Sequence, residues 1–200
     1  MTESSTPRPL RAFVALHLSD ELRRAVQDLQ DQLRRESPGA GIKWARVDQI
    51  HLTLNFLGDV QTAAIDELAL ALRRACAGQN LLHLRLGRLG CFPELRSPKV
   101  IWLGVEGDTE RVQSLQSRIE QETTPFSGHQ EERAFHPHLT LARVKHVSPP
   151  ERNRLAEVLK SRQAVALGDW IVREVVLMKS VLSSAGPAYT PLATIPLAAT

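Results

Sequence analysis

The spacing of apolar residues predicts strands and helices in alternation along the chain. Alternating apolar and polar positions, which are typical of strands, occupy residues 11–18, 50–56, 82–86, 100–105, 138–144 and 171–178. Helical spacing of apolar residues fills the segments between them, with predicted helix starts at Ser19, near Thr62, at Asp108 and at Ser148. This alternation predicts an α+β fold in which helices pack on sheets.

Two of the predicted helices carry clear start signals. Ser19 precedes one of them as an N-cap residue, and the segment 37–39 (Ser-Pro-Gly) stops that helix. Ser148 and Glu151 form a capping-box pattern, and Pro149 stands at the first helical position, where proline is favoured. These local signals fix where the helices should begin without relying on the apolar pattern.

The order strand, helix, strand, helix, strand occurs twice, which predicts an internal duplication. The copies span approximately residues 11–90 and 99–182 of a single domain covering 1–200, with tails at 1–9 and 191–200. Residues 91–99 would connect the copies, and the polar segment 123–133 is a loop of the kind that often gates a site. We expect the copies to form two pseudo-symmetric lobes that face each other across a groove.

Each copy carries the tetrapeptide His-Leu-Thr-Leu on its central strand. The first runs from His51 to Leu54 and the second from His138 to Leu141, so the histidines lie 87 positions apart. By chance such a tetrapeptide recurs in a chain of this size on the order of one time in a hundred. Residues two apart on a strand share a face, so each copy presents one imidazole and one hydroxyl while both leucines enter the core.

Two imidazoles and two hydroxyls around one space suit displacement at phosphorus. One neutral histidine takes a proton from the attacking water, and a protonated one gives a proton to the leaving oxygen. Histidine serves both tasks because its ordinary pKa is near neutrality. The hydroxyls of Thr53 and Thr140 can donate hydrogen bonds to the phosphate oxygens as charge develops. This chemistry requires no metal or other cofactor.

A metal site is the competing interpretation of the same histidines. His136 and His138 lie two apart and can share a face with His51, which gives three imidazoles. No HExxH, CxxC or cluster of carboxylates accompanies them. The two cysteines, Cys76 and Cys91, form no CxxC and are expected to be reduced.

The overall composition is that of an ordinary globular protein and favours no membrane or secreted class. Hydrophobic residues make up 42% of the chain, no run of about 18 apolar residues occurs, and the first nine residues are polar and proline-rich. We therefore expect a cytoplasmic protein. A formal charge of +3 and a pI near 9.2 are compatible with a phosphate-bearing ligand but do not establish one.

The sequence resembles the two-histidine phosphoesterases, and within them the bacterial and archaeal RNA 2′,3′-cyclic phosphodiesterases, which are also called 2′-5′ RNA ligases. The resemblance runs from residue 11 to about residue 189. Besides the tetrapeptides it rests on the segments 11–15, 51–58, 100–105, 135–143 and 183–189. It implies a two-lobed fold with antiparallel sheets lining a central groove and helices outside.

The resemblance also implies hydrolysis of a terminal 2′,3′-cyclic phosphate of RNA to a 2′-phosphate, without a metal, and reversal to form a 2′-5′ link without ATP. It gives His51 the role of proton donor and His138 that of proton acceptor, which the residues alone do not assign. Arg143 matches an arginine that handles phosphate, although its position in a regular strand points it away from the groove unless a bulge re-aims it. A solvated arginine at a strand end is the alternative.

Base recognition is expected to rest on stacking against an aromatic ring, for which Phe13, Phe56 and Tyr189 are the candidates. Phe56 has the wrong strand parity relative to His51 unless the strand bends, and a core role is the alternative for the phenylalanines. A complete site in one chain favours a monomer. Two other functions stay open: a non-catalytic module that holds nucleotide or RNA ends, and a related enzyme acting on another cyclic phosphate or on 2′-5′ oligonucleotides.

Overall fold

A computed structural model describes residues 8–37, 39–128, 134–184 and 186–198. The strands are β1 (Leu10–His17), β2 (Ile42–Trp44), β3 (His51–Val60), β4 (Leu82–Phe92), β5 (Val100–Gly107), β6 (His138–Val144), β7 (Ala166–Val172), β8 (Glu174–Ser183) and β9 (Gly186–Pro196). The helices are α1 (Asp20–Glu36), α2 (Ile65–Cys76), α3 (Thr109–Thr123) and α4 (Pro149–Ser161). The predicted α+β class is confirmed.

All strands join one antiparallel sheet in the order β7-β4-β5-β6-β3-β1-β8-β9, and β2 is added to β6. At the centre of the sheet, β3 and β6 share a single residue pair, Leu52 with Leu139. We call β3, β1, β8 and β9, together with α2 and α3, lobe 1. Lobe 2 consists of β6, β5, β4 and β7, together with β2, α1 and α4.

Helices cover the outer face of each lobe and leave the histidine face free. In lobe 2, Arg162 just after α4 pairs with Glu36 at the end of α1. In lobe 1, Arg74 of α2 pairs with Glu122 of α3 at 2.8 Å. The tetrapeptide leucines join the main core between strands and helices, so burial of apolar area fixes which face of β3 and β6 points inward.

The two lobes do not coincide with the two predicted sequence copies. β4 belongs to the first copy but pairs with β5 of the second, and β8 of the second copy pairs with β1 of the first. Each lobe therefore takes its third strand from the other copy. The strand order is symmetric about the β3–β6 contact, which supports the duplication as a proposal.

Several element boundaries differ from those predicted. The strand expected at 171–178 is two strands, because the chain leaves β7 at Val172 and enters β8 at Glu174 on the other lobe. Residues 191–196, expected as part of a tail, continue β9, and β2 was not predicted. The helix expected near Thr62 starts with a short 3-10 turn before α2. Part of the predicted gating loop, residues 129–133, lies outside the described residues.

The helix starts follow the sequence signals. The side chain of Ser19 accepts from the backbone N–H of Leu22, and the capping box of Ser148 and Glu151 is complete, with Pro149 at the first helical position. Both cysteines are free, with Cys76 buried. Among the described residues, no helix is long and apolar enough to cross a membrane.

Each central strand has a β-bulge just after its tetrapeptide threonine. On β3, Ala15 pairs with Thr53 and Val14 with Asn55, which leaves Leu54 as the extra residue. On β6, Trp102 pairs with Thr140 and Ile101 with Ala142, which leaves Leu141 as the extra residue. A bulge shifts the alternation of side chains beyond it by one position.

A buried glutamine from α1 fastens the bulge on β6. Gln30, which is 0% exposed, donates through Nε2 to the Leu141 carbonyl at 2.9 Å and to the Ala45 carbonyl at 3.0 Å. The backbone N–H of Ala45 also donates to the Leu141 carbonyl, at 2.8 Å. The carbonyl at the bulge is therefore held by a side chain and by the chain just beyond β2.

Replacing Gln30 with leucine should lower the free energy of unfolding by about 1–3 kcal/mol, because the half-buried Ala45 carbonyl loses its side-chain donor and the buried Leu141 carbonyl keeps only the Ala45 N–H. Urea unfolding of Gln30→Leu measures the change. Gln27→Leu, on the same helix but only partly buried, is the control and should stay within about 0.5 kcal/mol of the parent. Equal stability of Gln30→Leu and the parent would show that the bulge does not depend on these bonds.

Candidate active site

The predicted alternation of the two tetrapeptides is confirmed. His51 and Thr53 are half-buried on one face of β3, whereas Leu52 is 0% exposed on the other. β6 repeats this pattern for His138, Thr140 and the leucines between them. Each strand thus places one imidazole and one hydroxyl at the groove between the lobes.

The pairing of Leu52 with Leu139 sets how the two tetrapeptides face each other. In an antiparallel pair with this register, His51 stands across from Thr140, and Thr53 stands across from His138. The two histidines are then diagonal neighbours, for which Cα atoms lie about 7–8 Å apart in a regular sheet. This register places both imidazoles and both hydroxyls on the same face of the sheet, at the β3–β6 contact.

Both imidazoles are held in the same way through Nδ1. His51 Nδ1 lies 2.7 Å from the carbonyl oxygen of Gln49, and His138 Nδ1 lies 2.6 Å from that of His136. A carbonyl can only accept, so Nδ1 carries the proton in each ring. Nε2 is then the atom that exchanges a proton with a ligand, as acceptor when the ring is neutral and as donor when it is charged.

Burial lowers the pKa of both histidines. The pKa of His51 falls from 6.5 to about 4, chiefly because the ring is desolvated; the bond to Gln49 opposes the shift and the charge of His17 adds to it. Burial also lowers the pKa of His138, where the bond to His136 opposes the shift and the charges of His136 and Arg143 add to it. His51 is therefore neutral at pH 7 in the free protein, and burial also favours the neutral form of His138.

The bulges re-aim the two residues whose strand parity was wrong. Phe56 follows His51 by five positions on β3, and Arg143 follows His138 by five on β6. Both are exposed, on the half-buried face that carries the histidines, because the extra residues Leu54 and Leu141 shift the alternation. The charge of Arg143 contributes to the lowered pKa of His138 and opposes the raised pKa of Tyr189.

An aromatic wall surrounds His51 in lobe 1. The ring of Phe13 stacks on His51 with centroids 4.8 Å apart, and Tyr189 meets His51 edge-on at 5.3 Å. Phe13 is 2% exposed, so its ring has no free face for a base and supports His51 from below. Phe56 is 51% exposed and Tyr189 is half-buried, which leaves both rings accessible from the groove.

A turn residue connects His51 to the strand that carries Tyr189. The Gln49 carbonyl accepts from His51, and the Gln49 side-chain amide donates to the Pro187 carbonyl at the start of β9. Gln49 makes both hydrogen bonds, so the position of the imidazole is coupled to that of the β8–β9 hairpin.

Three residues near the histidines were not singled out from the sequence. His17 pairs with His51 across β1 and β3, with ring centroids 6.2 Å apart. In lobe 2, Phe92 meets His138 edge-on at 5.1 Å and packs on Trp102 at 5.2 Å. Strand pairing brings these residues to the site, and pairing cannot be read from the sequence. Only Trp102 had a local signal, because it lies in the alternating segment 100–105.

The metal interpretation needs three ligands around one point. Within the described ranges, no group of three or more His, Cys, Asp or Glu side chains is arranged to hold a metal ion. His136 contributes its carbonyl oxygen to His138 Nδ1. The structure therefore brings two imidazoles, two hydroxyls and one guanidinium to the groove.

Comparisons with known proteins agree on one family. The sequence model of the 2′-5′ RNA ligase superfamily matches residues 18–182. A protein of Methanothermobacter thermautotrophicus named RNA 2′,3′-cyclic phosphodiesterase is 36% identical over 183 residues, which cover 92% of this chain and 96% of the relative.

Solved structures give the same result. Escherichia coli LigT, in a crystal structure with 3′-AMP, is 27% identical with a TM-score of 0.75, and the match covers 94% of this chain and 98% of LigT. The protein TT0787 of Thermus thermophilus is 28% identical with a TM-score of 0.74 over the same shares of both chains. The predicted two-lobed arrangement is confirmed by these neighbours.

The lowered pKa of His51 should appear in the stability of the protein. Below pH 6.5 the unfolded chain binds a proton at this ring and the folded chain does not until about pH 4, so stability falls across that window. This ring alone should cost about 2 kcal/mol between pH 7 and pH 5. Urea unfolding at both pH values should show a smaller loss for His51→Gln than for the parent.

The control for this measurement is His83→Gln, because His83 is an exposed histidine on β4. It should keep the pH dependence of the parent, since the buried His51 is unchanged in this variant. An equal loss of stability in His51→Gln and the parent would contradict the lowered pKa.

Proposed function

The chain belongs to the 2′-5′ RNA ligase superfamily, and from this membership and the paired histidines we propose that it is an RNA 2′,3′-cyclic phosphodiesterase. It hydrolyses a terminal 2′,3′-cyclic phosphate to a 2′-phosphate and, when a 5′-hydroxyl attacks in place of water, joins such an end to a second RNA through a 2′-5′ link. The observation that carries the proposal is the shared Nδ1 anchoring of His51 and His138 at one groove.

The proposed reaction is an in-line displacement at phosphorus. His138 Nε2 takes a proton from water as the oxygen attacks, and His51 Nε2–H gives a proton to the departing O3′. The bond from phosphorus to O3′ breaks, so the phosphate stays on O2′. Because each Nδ1–H is bound to a carbonyl, each ring can exchange a proton only at the atom that faces the groove.

Thr53 and Thr140 stabilise the phosphate during this displacement. Each hydroxyl lies on the same face as the histidine two positions before it and, by the strand register, across from the histidine of the other lobe. Donors on both sides can therefore reach the non-bridging oxygens. Arg143 supplies positive charge at the same groove, where its fork suits a phosphate.

The terminal base stacks in lobe 1 in this proposal. Phe56 and Tyr189 offer accessible rings beside His51, and such stacking tolerates any base. Phe13 supports the imidazole from the opposite side. A nucleotide also fits the likeness to LigT, whose crystal structure contains 3′-AMP.

The low pKa of His51 makes its proton depend on the substrate. A neutral ring at pH 7 cannot donate, but a phosphate anion close to the ring favours the charged form and raises its pKa. Substrate binding therefore prepares the donor, while His138, near the cationic Arg143, stays neutral as acceptor. The cytoplasmic location and monomeric state expected from sequence stay predictions.

Removing either imidazole should abolish hydrolysis. His51→Ala and His138→Ala should each lower kcat for cytidine 2′,3′-cyclic phosphate by at least about 100-fold, because each removes one proton-transfer step. Product identification should give the 2′-phosphate with excess chelator present. His83→Ala, which alters an exposed histidine on β4, is the matched control and should keep full activity.

Three outcomes would contradict parts of this proposal. Loss of activity with chelator would favour the metal interpretation. A 3′-phosphate product would mean that O2′ leaves instead of O3′. Binding of cytidine 2′-phosphate without turnover of the cyclic form would favour the non-catalytic module.

The rate should depend on pH as a bell with its maximum on the acid side. In the free protein both histidines have a pKa below 6.5, so the alkaline limb of kcat/KM, where the pair loses the proton that the donor needs, should already lie below pH 6.5, and kcat/KM should fall again at lower pH as the acceptor gains a proton. The profile of kcat should extend to higher pH, because bound phosphate raises the pKa of His51. A flat kcat/KM from pH 5 to 9 would contradict the paired mechanism.

A further inference from the structure

A second aromatic wall lies in lobe 2, beside the other histidine. Trp102 faces the groove, because it pairs with Thr140 across β5 and β6. Phe92, at the end of β4, packs on Trp102 and meets the edge of His138. Both rings are only half-buried. The proposed hydrolysis, in which the terminal nucleoside occupies lobe 1, makes no use of this wall.

Two glycines let the Trp102 indole lie flat on the sheet. A Cβ at Gly90 would lie 2.3 Å from Trp102 Cζ2, and a Cβ at Gly104 would lie 3.3 Å from Cζ3. Any larger residue at Gly90 would force the ring to move. The indole therefore covers the strands at these two glycines, and part of its surface stays exposed on the face that carries Thr140. Its Nε1 is buried and has no hydrogen-bond partner among the described residues.

The geometry of in-line displacement indicates which nucleoside can bind at this aromatic wall. The attacking and leaving oxygens lie on opposite sides of phosphorus, so the terminal ribose with its departing O3′ lies towards His51 and the attacking oxygen lies towards His138. In hydrolysis the attacking oxygen belongs to water. In ligation it is the 5′-hydroxyl of a second RNA end, whose nucleoside must then sit in lobe 2.

We propose that Trp102, with Phe92 beside it, is the stacking platform for the nucleoside that supplies the 5′-hydroxyl in 2′-5′ ligation. The same platform holds the 5′-linked nucleoside when a 2′-5′ junction is cleaved. A flat indole beside the proton acceptor binds the base through its π-face, without regard to base identity. This inference rests on the proposed function and adds a second nucleoside site to it.

The step balances without a co-reactant. The 5′-oxygen forms a bond to phosphorus and loses its proton to His138, while the bond from phosphorus to O3′ breaks and O3′ takes a proton from His51. The energy comes from the strained cyclic phosphate, so no nucleotide triphosphate is consumed. Hydrolysis differs only in the nucleophile.

The test compares ligation with hydrolysis in the same preparation of the full chain. A donor RNA with a 2′,3′-cyclic phosphate is incubated with a 5′-hydroxyl acceptor RNA, and cytidine 2′,3′-cyclic phosphate is hydrolysed separately. The ratio of the two rates does not depend on the folded fraction. Trp102→Leu should lower this ratio about 5- to 100-fold, the loss that one base stack represents, and should raise the KM for acceptor.

Three further variants make the result specific. Trp102→Phe keeps a ring and should restore most of the ratio. Gly90→Val displaces the indole without removing it and should lower the ratio as Trp102→Leu does. Trp44→Leu makes the same substitution on β2, where the ring lies under Arg34 of α1 on the outer face, and should leave the ratio at the parent value.

The failures of the two proposals are distinguishable. If the parent protein does not hydrolyse the cyclic nucleotide, the proposed function fails. If it hydrolyses the nucleotide but neither makes nor cleaves a 2′-5′ link, or if Trp102→Leu lowers both rates equally with a raised KM for the cyclic nucleotide, the second nucleoside site is overturned. An unchanged ratio in Trp102→Leu and Gly90→Val overturns it as well.

Discussion

The pairing of Leu52 with Leu139 joins the central strands of the two lobes, β3 and β6, and the groove depends on it. Both leucines are fully buried, so burial of their side chains sets the register of the central strands. A slip of either strand by one residue would turn its imidazole into the core and its leucines into the groove. The buried leucines thus position the histidines and threonines on the opposite face of the same strands.

The bulges after the tetrapeptides determine which side chains further along each strand face the groove. They turn Phe56 and Arg143 towards the groove, which a regular strand would turn away. A bulge leaves backbone groups without strand partners, and buried groups of this kind need others. Gln30 supplies a partner at the Leu141 carbonyl, and Asn55, next to the bulge on β3, bonds to α3 through a threonine hydroxyl. Buried polar residues on the helix side therefore support the groove side.

The sequence predicted the parts of the fold that local patterns determine. Alternation indicated the strand at 138–144 with its observed bounds, and Ser19 and Ser148 marked true helix starts. Strand pairing has no signature in a single sequence, so neither the exchange of β4 and β8 between the lobes nor the approach of Phe92 to His138 was predicted. The bulge that re-aims the arginine on β6 is held by a contact with α1 from 111 positions away. Contacts between residues so far apart in sequence determine features of the fold that local patterns do not predict.

The two lobes place similar strands around the groove but give the two histidines different surroundings. On β1 the residue across from His51 is His17, whereas on β5 the residue across from His138 is Gly104. Burial of the His51 ring, on which Phe13 stacks closely, lowers its pKa to about 4, and the charge of His17 adds to the shift. Glycine on the other side leaves room for a flat indole. In the proposed reaction the two imidazoles flank one phosphate, and the residues across from them on β1 and β5 give the donor side and the nucleophile side different surroundings.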